Sequence, residues 1–243
     1  MPPTAVNHPL ICKLEHSAAL SQVERSALEA LTLSRRPVSA RHDIAVHDNT
    51  DRVYLVMSGI AGRYKTLRQG NRRIVSFAVP GDLCRMHICG PSTRDMRLGA
   101  LTHCTVVDIP RTRLTELIET HPGIAHVMRW LAMMELNRAR EWLVNDSRPA
   151  DRRLAHHFCE LLVCLQVVGL ANENSFELAI SQADLADAMG ISQVHINRVL
   201  QGLRAGDLIV WSKSALTIPD VERLQAFAEF DPGYLDLRPA KAA

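Results

Sequence analysis

Short apolar runs that end at turn residues dominate the first half of the chain. The runs cover residues 53–57, 74–79 and 104–109, and each is followed within two residues by glycine, proline or both. Residues 69–71, Gln-Gly-Asn, separate two further stretches in the way that a hairpin turn does. Strands at such intervals predict a small antiparallel β-sandwich or roll over about residues 38–109.

The apolar spacing becomes helical from Leu114 onward. The pattern predicts a short helix over 114–120 and a long helix over about 123–145. We expect one seam of the long helix to form the interface of a coiled-coil-like homodimer, although it could instead pack on its own domain. The seam has 3-4-3 spacing and consists of Ile124, Val127, Leu131 and Met134.

A hinge and a second helical unit follow the long helix. Residues 146–149, Asp-Ser-Arg-Pro, interrupt the helical pattern and predict a hinge. The next helix is predicted over 150–170. Its apolar stripe consists of Leu154, Phe158, Leu161 and Leu165.

Residues 182–201 have the pattern of a helix-turn-helix. Ser181 can cap the first helix, with Asp184 three residues later. Gly190 can supply the left-handed turn that a tight bend between two helices requires. Ser192 can then cap the second helix. The first residues of such a second helix enter the major groove of DNA, so this segment predicts DNA binding.

The outward face of the second helix carries side chains that can read bases. Arg198 can bind guanine O6 and N7 or a phosphate, and the polar side chains before it can donate to and accept from base edges. Residues 208–218 predict a hairpin wing, with Lys213 at its tip as a phosphate contact. The other candidate DNA contacts are Ser181, Gln182, Ser192, Gln193, Val194, His195, Asn197 and Gln201.

Charge does not point to DNA by itself. The formal net charge of the 243 residues is +2. Residues 1–146 carry 19 basic and 14 acidic side chains, whereas residues 147–243 carry 9 basic and 12 acidic ones. The predicted DNA-binding half is therefore acidic on average, against the usual electrostatic pattern of such domains, and any DNA-facing surface must be a local patch.

A sandwich, a long helix, a hinge and a winged helix, in that order, resemble the Crp/Fnr superfamily of regulators. The resemblance is strongest over 181–217 and weaker in the first half, where it rests on 57–59, 80–83 and 104–117. The segment ISQVHINRVLQGLRAGDLI looks like the subgroup common in alpha-proteobacteria. In many family members a glutamate stands where this chain has Val194, so we expect a half-site that differs from theirs.

The resemblance implies an α+β fold with a β-roll (jelly roll) that is similar to cyclic-nucleotide-binding domains. It places the effector domain at residues 10–121, the dimerisation helix and hinge at 122–146, the winged helix at 147–220 and a tail at 221–243. It further implies a homodimer, a palindromic site on double-stranded DNA, control by a ligand or a redox signal, and RNA polymerase as a partner.

Departures from the family argue against cyclic AMP as the effector. Met86 stands where cyclic-nucleotide binders have a glutamate for the ribose, and Arg85 replaces a glycine. Arg94-Asp95 stands where an arginine is followed by serine or threonine, and an aspartate would repel the phosphate. Arg85, Met86 and Arg94 remain the candidate residues of an effector pocket for some other ligand.

No metal or iron–sulfur site is predicted. The oxygen-sensing branch of the family holds its cluster on several cysteines near the N-terminus, where this chain has only Cys12. The spacing of Cys84, His87 and Cys89 fits no common zinc pattern. A redox role for Cys84 and Cys89 and the binding of haem, which a single histidine or cysteine can ligate, stay open.

Other classes of protein are less well supported. The chain has no apolar stretch long enough to cross a bilayer and no secretory signal, so we expect a cytoplasmic protein without a membrane partner. It has no catalytic motif, so we expect no catalytic residues and no enzyme activity. The alternatives to an effector-controlled regulator are an effector-independent regulator and a small-molecule, haem or redox sensor whose winged helix binds a protein.

Overall fold

The computed structural model describes residues 8–45, 51–84 and 96–237. Two short helices, α1 (Pro9–Glu15) and α2 (Gln22–Leu31), open the described chain. Ser21 begins α2 with a capping box, in which its hydroxyl accepts from the Glu24 amide and the Glu24 carboxylate accepts from the Ser21 amide. Within these residues no helix has both the length and the apolar content needed to span a bilayer.

Two four-stranded antiparallel sheets form the first domain, which we call the effector domain after the role that the sequence predicts for it. One has the order β1-β8-β3-β6 and the other the order β2-β7-β4-β5. Their strands are β1 (Arg35–Val38), β2 (Asp43–Ala45), β3 (Arg52–Ser58), β4 (Ala61–Thr66), β5 (Arg72–Ala78), β6 (Leu83–Cys84), β7 (Arg97–Ala100) and β8 (Cys104–Pro110).

The three apolar runs lie on β3, β5 and β8, as the sequence predicts. β3 and β8 are antiparallel neighbours, with Val53 opposite Ile109. β4 and β5 form a hairpin whose turn contains Gly70 at a φ of +86°, which is a conformation that glycine adopts without strain. The predicted antiparallel roll and the α+β fold class are therefore confirmed.

Two helices follow the sheets: α3 (Arg111–Thr120) and the long α4 (Pro122–Asn145). The predicted hinge lies in the short connection between α4 and the next helix, α5 (Ala150–Val167). The apolar stripe of α5 is buried, and Leu154 and Phe158 are fully inaccessible to solvent.

The apolar seam of α4 corrects one sequence prediction. Its side chains are buried within the protomer, in a cluster that includes residues of α1, α2, β3 and β8. The seam therefore packs on its own domain, which was the alternative interpretation. These side chains are not available to a second protomer. The four buried residues are Ile124, Val127, Leu131 and Met134.

The second domain is a winged helix. After α5, the strand β9 (Ser175–Glu177) precedes the helices α6 (Gln182–Met189) and α7 (Gln193–Ala205). The strands β10 (Val210–Ser212) and β11 (Ala215–Thr217) form the predicted wing hairpin, and β9 adds to it in the order β10-β11-β9.

The residues after the wing are folded rather than a simple tail. The helix α8 (Val221–Ala228) buries Leu224 against the core that includes α5, which favours extending the DNA-binding unit beyond residue 220. A 3-10 helix, Pro232–Leu235, then returns to α4. There the Trp130 indole N–H donates to the Asp236 carbonyl at 3.2 Å.

One apolar core continues from the second sheet into the winged helix. Phe77 of β5 packs edge-on against Trp142 of α4, with ring centroids 5.4 Å apart. His157 of α5 lies against the same Trp142 ring, at 4.3 Å. The two domains therefore meet through closely packed side chains beside the hinge, and not only through the covalent connection.

Candidate nucleic-acid interface

The first helix of the predicted helix-turn-helix begins at a capping box. The Ser181 hydroxyl accepts from the Asp184 amide at 3.1 Å and donates to the Asp184 carboxylate at 2.6 Å. The same carboxylate accepts from the Ser181 amide at 3.3 Å. These bonds satisfy backbone donors that would otherwise be free at the start of α6, as the sequence predicts.

Gly190 ends α6 in the left-handed conformation, with a φ of +63° and a ψ of +33°. A residue with a β-carbon would be strained at this φ, and the β-carbon would also collide with the Arg73 guanidinium. The turn is short because Ser192 caps α7 only two residues later, its hydroxyl accepting from the His195 amide at 3.2 Å. The predicted turn glycine and cap are confirmed.

The inner face of α7 holds it against the rest of the domain. Ile196, Leu200 and Leu203 are almost fully inaccessible, and they belong to the core that contains Leu185 and Met189 of α6. Because the two helices share this core, α7 cannot move independently of α6 without exposing apolar surface.

The outer face of α7 is open to solvent. Val194 is 63% exposed, and Asn197 is half-buried at the edge of this face. The side chains that lie fully outside are Gln193, His195, Arg198 and Gln201. These six side chains of α7, which the sequence predicts as DNA contacts, therefore lie on one surface. We call this surface the reading face.

The remaining candidates lie at the starts of the two helices and at the tip of the wing. The hydroxyls of Ser181 and Ser192 are already engaged in the helix caps, and Gln182 is half-buried at the start of α6. Lys213 is exposed at the wing tip with a φ of +54°. Its ammonium group is therefore free to approach a phosphate without breaking a contact of the described residues.

Sequence reasoning missed a groove next to the reading face. It runs between α7 and α8 and is lined by His195, Arg198, Gly202 and Arg223, among others. Arg223 also donates to the Gly206 carbonyl at 3.0 Å. The helical period of residues 221–228 was the only sequence signal for this element, and nothing in it pointed to DNA.

Buried charges join the effector domain to α5. The Arg138 guanidinium donates to Glu160 Oε1 at 2.9 Å and to Asp82 Oδ2 at 3.4 Å. Lys13 of α1 donates to Asp82, and the Tyr234 hydroxyl donates to Glu160 Oε2 at 2.6 Å. We call these five residues the buried charge cluster. Its members come from α1, the turn after β5, α4, α5 and the C-terminal 3-10 helix.

The cluster keeps its carboxylates ionised despite burial. Burial alone would raise the pKa of Glu160, but Arg138 and the Tyr234 hydroxyl outweigh it and lower the pKa. Lys13 and Arg138 likewise lower the pKa of Asp82 against the effect of burial. The charges therefore compensate one another, as buried ion pairs must.

A cavity of about 430 Å³ lies between the second sheet and α4. Within the described part of the chain, several buried polar atoms of its lining residues have no hydrogen-bond partner. They are Arg63 Nε, Arg73 Nη1, Ser76 Oγ and Arg138 Nε. The candidate effector residues Arg85, Met86 and Arg94 lie outside the described residues.

The described part of the chain gives little support to a redox or metal site at Cys84. Burial raises the pKa of the Cys84 thiol to about 11, although nearby Arg63 opposes the shift. A protonated thiol is a poor nucleophile and a poor metal ligand. Among residues 8–45, 51–84 and 96–237, no three histidine, cysteine or acidic side chains are grouped to hold a metal. Cys89 lies outside the described residues.

Comparisons with known proteins cover both halves of the chain. Residues 39–121 match the cyclic nucleotide-binding domain family, and residues 152–227 match the Crp-like helix-turn-helix domain family. The nitrogen fixation regulation protein FixK of Bradyrhizobium diazoefficiens is 28% identical over 225 residues, which cover 89% of this chain and 92% of FixK. The transcriptional activator protein FnrL of Cereibacter sphaeroides is 23% identical over 230 residues, which cover 91% of this chain and 92% of FnrL.

The fold is also that of a protein of known structure. The structure of FixK2 from Bradyrhizobium japonicum matches with a TM-score of 0.70 at 22% identity, covering 86% of this chain and 98% of that one. The relatives are transcription regulators rather than enzymes, and regulators of this kind bind DNA and are typically dimeric. The two matched domains, their order and the helix-turn-helix geometry place the chain in the Crp/Fnr superfamily of transcription regulators, in the type found in alpha-proteobacteria.

Proposed function

We propose that the protein binds a palindromic site on double-stranded DNA as a homodimer and reads each half-site with the reading face of α7. The observation that carries the proposal is the α6–Gly190–α7 geometry, which buries one side of α7 and leaves its polar side open. Arg198 is the side chain best suited to guanine or phosphate, because an arginine offers two parallel donors. Lys213 on the wing supplies a phosphate contact.

A second row of apolar residues on α4 supports the homodimer. Met133, Leu136 and Leu143 are exposed in the protomer, and Leu143 is 74% exposed. With Arg140 they repeat the 3-4-3 spacing on the face of α4 opposite the buried seam. Large apolar side chains in such a row favour pairing with the same row of a second copy. This row replaces the buried seam as the proposed dimer interface.

The dimer can be tested by mass in solution. We expect the protein to sediment as a dimer and Leu136→Glu to sediment as a monomer, since two charges would face each other in the interface. Val23→Glu is the matched control, because Val23 of α2 is 69% exposed and lies outside the row. A dimer that survives Leu136→Glu unchanged would exclude this row.

A small effector in the cavity between the second sheet and α4 would give the regulator its input. Single guanidinium N–H donors and one hydroxyl that lack a partner among the described residues favour a ligand that carries an acceptor, such as a carboxylate or phosphate. RNA polymerase is the partner through which a regulator of this family would act on transcription. A cytoplasmic location fits both roles.

The DNA-binding proposal is tested with DNA selected from a randomised pool by the wild-type protein. We expect Arg198→Ala to weaken binding of the selected duplex by about 5- to 100-fold, the range for losing one bidentate base contact. Arg204→Ala is the control, since Arg204 is exposed on the last turn of the same helix. Equal binding by wild type and Arg198→Ala would contradict the assignment of α7.

The salt dependence separates DNA recognition from a winged helix that binds a protein. Binding that depends on phosphate contacts falls steeply as salt rises, because condensed counterions are released. We expect a steep slope for wild type and a smaller one for Lys213→Gln. Failure to select any duplex, together with salt-insensitive capture of a protein, would favour the protein-binding alternative.

A further inference from the structure

A pair of consecutive arginines on β5 reaches from the effector domain to the helix-turn-helix. Arg72 Nε donates to Asp187 Oδ2 at 2.7 Å, and its Nη2 donates to Asp184 Oδ1. Both acceptors are carboxylates of α6. One guanidinium therefore holds two successive turns of the first helix of the DNA-binding motif.

The Arg72 contact is partly shielded from water. The Asp184 side chain is 5% exposed and that of Arg72 is 29% exposed. The Arg72 guanidinium also lies 5.5 Å from the centre of the Tyr64 ring, in the range of a cation–π contact. Shielding of this kind makes an ion pair more specific in geometry than a fully exposed pair, which solvent and salt weaken.

Arg73 lies near the other end of α6. Its Nη2 donates to both carboxylate oxygens of Asp146, each at 2.9 Å, at the hinge between the domains. Its guanidinium also packs against Gly190. On the α5 side, Arg153 donates to the Met189 carbonyl at 2.5 Å. The start and the end of α6 are thus both held by side chains from outside the motif.

Holding α6 also holds the reading face. α6 and α7 share one apolar core, so a contact that orients α6 relative to the effector domain orients α7 as well. The inference rests on the proposed function, in which two copies of α7 must meet two half-sites about one helical turn apart. In that case the contact between Arg72 and α6 affects DNA recognition.

We propose that Arg72 is a positioning residue for DNA recognition: by fixing α6 against the effector domain, it sets the half-site spacing that the dimer accepts. Arg72 does not touch DNA in this proposal. It reduces the orientational freedom of the motif before binding, and this lowers the cost of engaging both half-sites at once.

The test compares the affinity for palindromes of different spacing. The duplex is the one selected by wild type, with its centre lengthened or shortened by one and two base pairs, together with a duplex that carries a single half-site. We expect wild type to prefer one spacing by at least about tenfold. Arg72→Gln should lose about tenfold at that spacing, flatten the preference across spacings and bind the single half-site within about twofold of wild type.

The hairpin itself provides a matched control. Arg68 lies in the β4–β5 turn, is exposed and makes none of the hydrogen bonds or ion pairs of the described residues. Arg68→Gln removes the same charge and should keep the wild-type spacing profile. Asp187→Asn should flatten the profile in part, because Arg72 keeps its contact with Asp184. The Arg72→Gln/Asp187→Asn double variant should add nothing to the effect of Arg72→Gln alone, because that variant already lacks the Asp187 contact.

A charge exchange completes the test. Arg72→Asp combined with Asp187→Arg should recover part of the spacing preference that Arg72→Asp alone loses. If Arg72→Gln is poorly folded, the spacing profile of Asp187→Asn is compared with that of wild type instead, since Asp187 lies outside the capping box. An unchanged profile in folded Arg72→Gln or Asp187→Asn, or tighter binding at the preferred spacing, would overturn the inference. Failure of wild type to bind any palindrome would instead overturn the proposed function.

Discussion

The reading face of α7 and the buried charge cluster both contain polar side chains, but those of the reading face are exposed to solvent and those of the cluster are paired with one another. On the reading face, Arg198 and Gln201 point to solvent and keep their donors free. In the cluster, Arg138 and Glu160 are sealed inside the protein and bind each other at 2.9 Å. A polar group left open is available for a ligand, whereas one that is buried must be satisfied within the fold.

The comparison separates stability from recognition. Changes in the cluster should destabilise the protein strongly, since removing one partner leaves an uncompensated buried charge. Changes on the reading face should alter DNA binding with little effect on folding, because exposed side chains contribute little to stability. The following four expectations, in order of decreasing effect, test this division.

Arg138→Met should cost the largest amount of stability. It removes the cation shared by Glu160 and Asp82, and the expected loss in the free energy of unfolding is about 3–5 kcal/mol. Urea unfolding followed by circular dichroism measures it. Arg129→Met, at an exposed position of the same helix, should change stability by less than about 0.5 kcal/mol. Equal losses for the two variants would show that the cluster is not a special stabilising feature.

Acidification should weaken the fold next most strongly. Burial lowers the pKa of His157 from 6.5 to about 3. Below pH 6.5 the His157 side chain therefore becomes protonated in the unfolded chain but stays neutral in the folded protein. Stability is therefore lost as pH falls through 6.5, at about 1.4 kcal/mol per pH unit, or roughly 3 kcal/mol by pH 4.5. The lowered pKa of Glu160 acts in the same direction at more acid pH, where its stabilising contribution is lost.

The role of His157 in this pH dependence can be isolated with His157→Phe. Its ring lies among Phe77 and Trp142, so a phenyl ring keeps the aromatic contacts and cannot take up a proton. The variant should show a flatter stability curve between pH 6.5 and 4.5 in urea titrations. A slope equal to that of wild type would assign the effect to other groups.

Val194→Glu should change which DNA is bound without changing stability. The side chain is 63% exposed on the reading face, and a carboxylate there can accept from cytosine N4. We expect selection from a randomised pool to recover duplexes with a new cytosine preference of about 5- to 100-fold at one position. An identical set of selected sequences would show that position 194 does not face the bases.

Gly202→Ala should have the smallest effect, and a favourable one. A β-carbon at this position of α7 meets no atom within 4 Å, so alanine adds helix propensity without a clash. The expected gain is about 0.5–1 kcal/mol, read from the same urea titrations. A loss of stability would mean that the open groove beside Arg223 is filled in the protein.

Local signals made much of the candidate site predictable. Ser181, Ser192 and Gly190 act within a few residues of themselves, so their residue types reveal the two caps and the turn. The apolar stripe of α7 likewise fixes which side faces inward. The break near Pro149 was predictable for the same reason, because proline cannot continue a helix beyond its first turn.

Long-range packing was not predictable in the same way. The 3-4-3 seam of α4 predicts an apolar contact but does not say which surface supplies it, and here the N-terminal helices and the first sheet supply it. The buried charge cluster joins Lys13 to residues as far along the chain as Tyr234. His157 had no local sign of a function, since its role follows from burial between Phe77 and Trp142.

The sequence by itself determined the kind of protein: a β-roll, a long helix and a winged helix whose α7 presents Arg198 outward. It could do so because caps, turns and periodicity are properties of neighbouring residues. Only the tertiary structure decided which side of α4 is free for a second copy, which charges are buried together and which arginine holds α6. Those choices depend on elements that lie far apart in sequence and meet only when the chain has folded, so no local pattern encodes them.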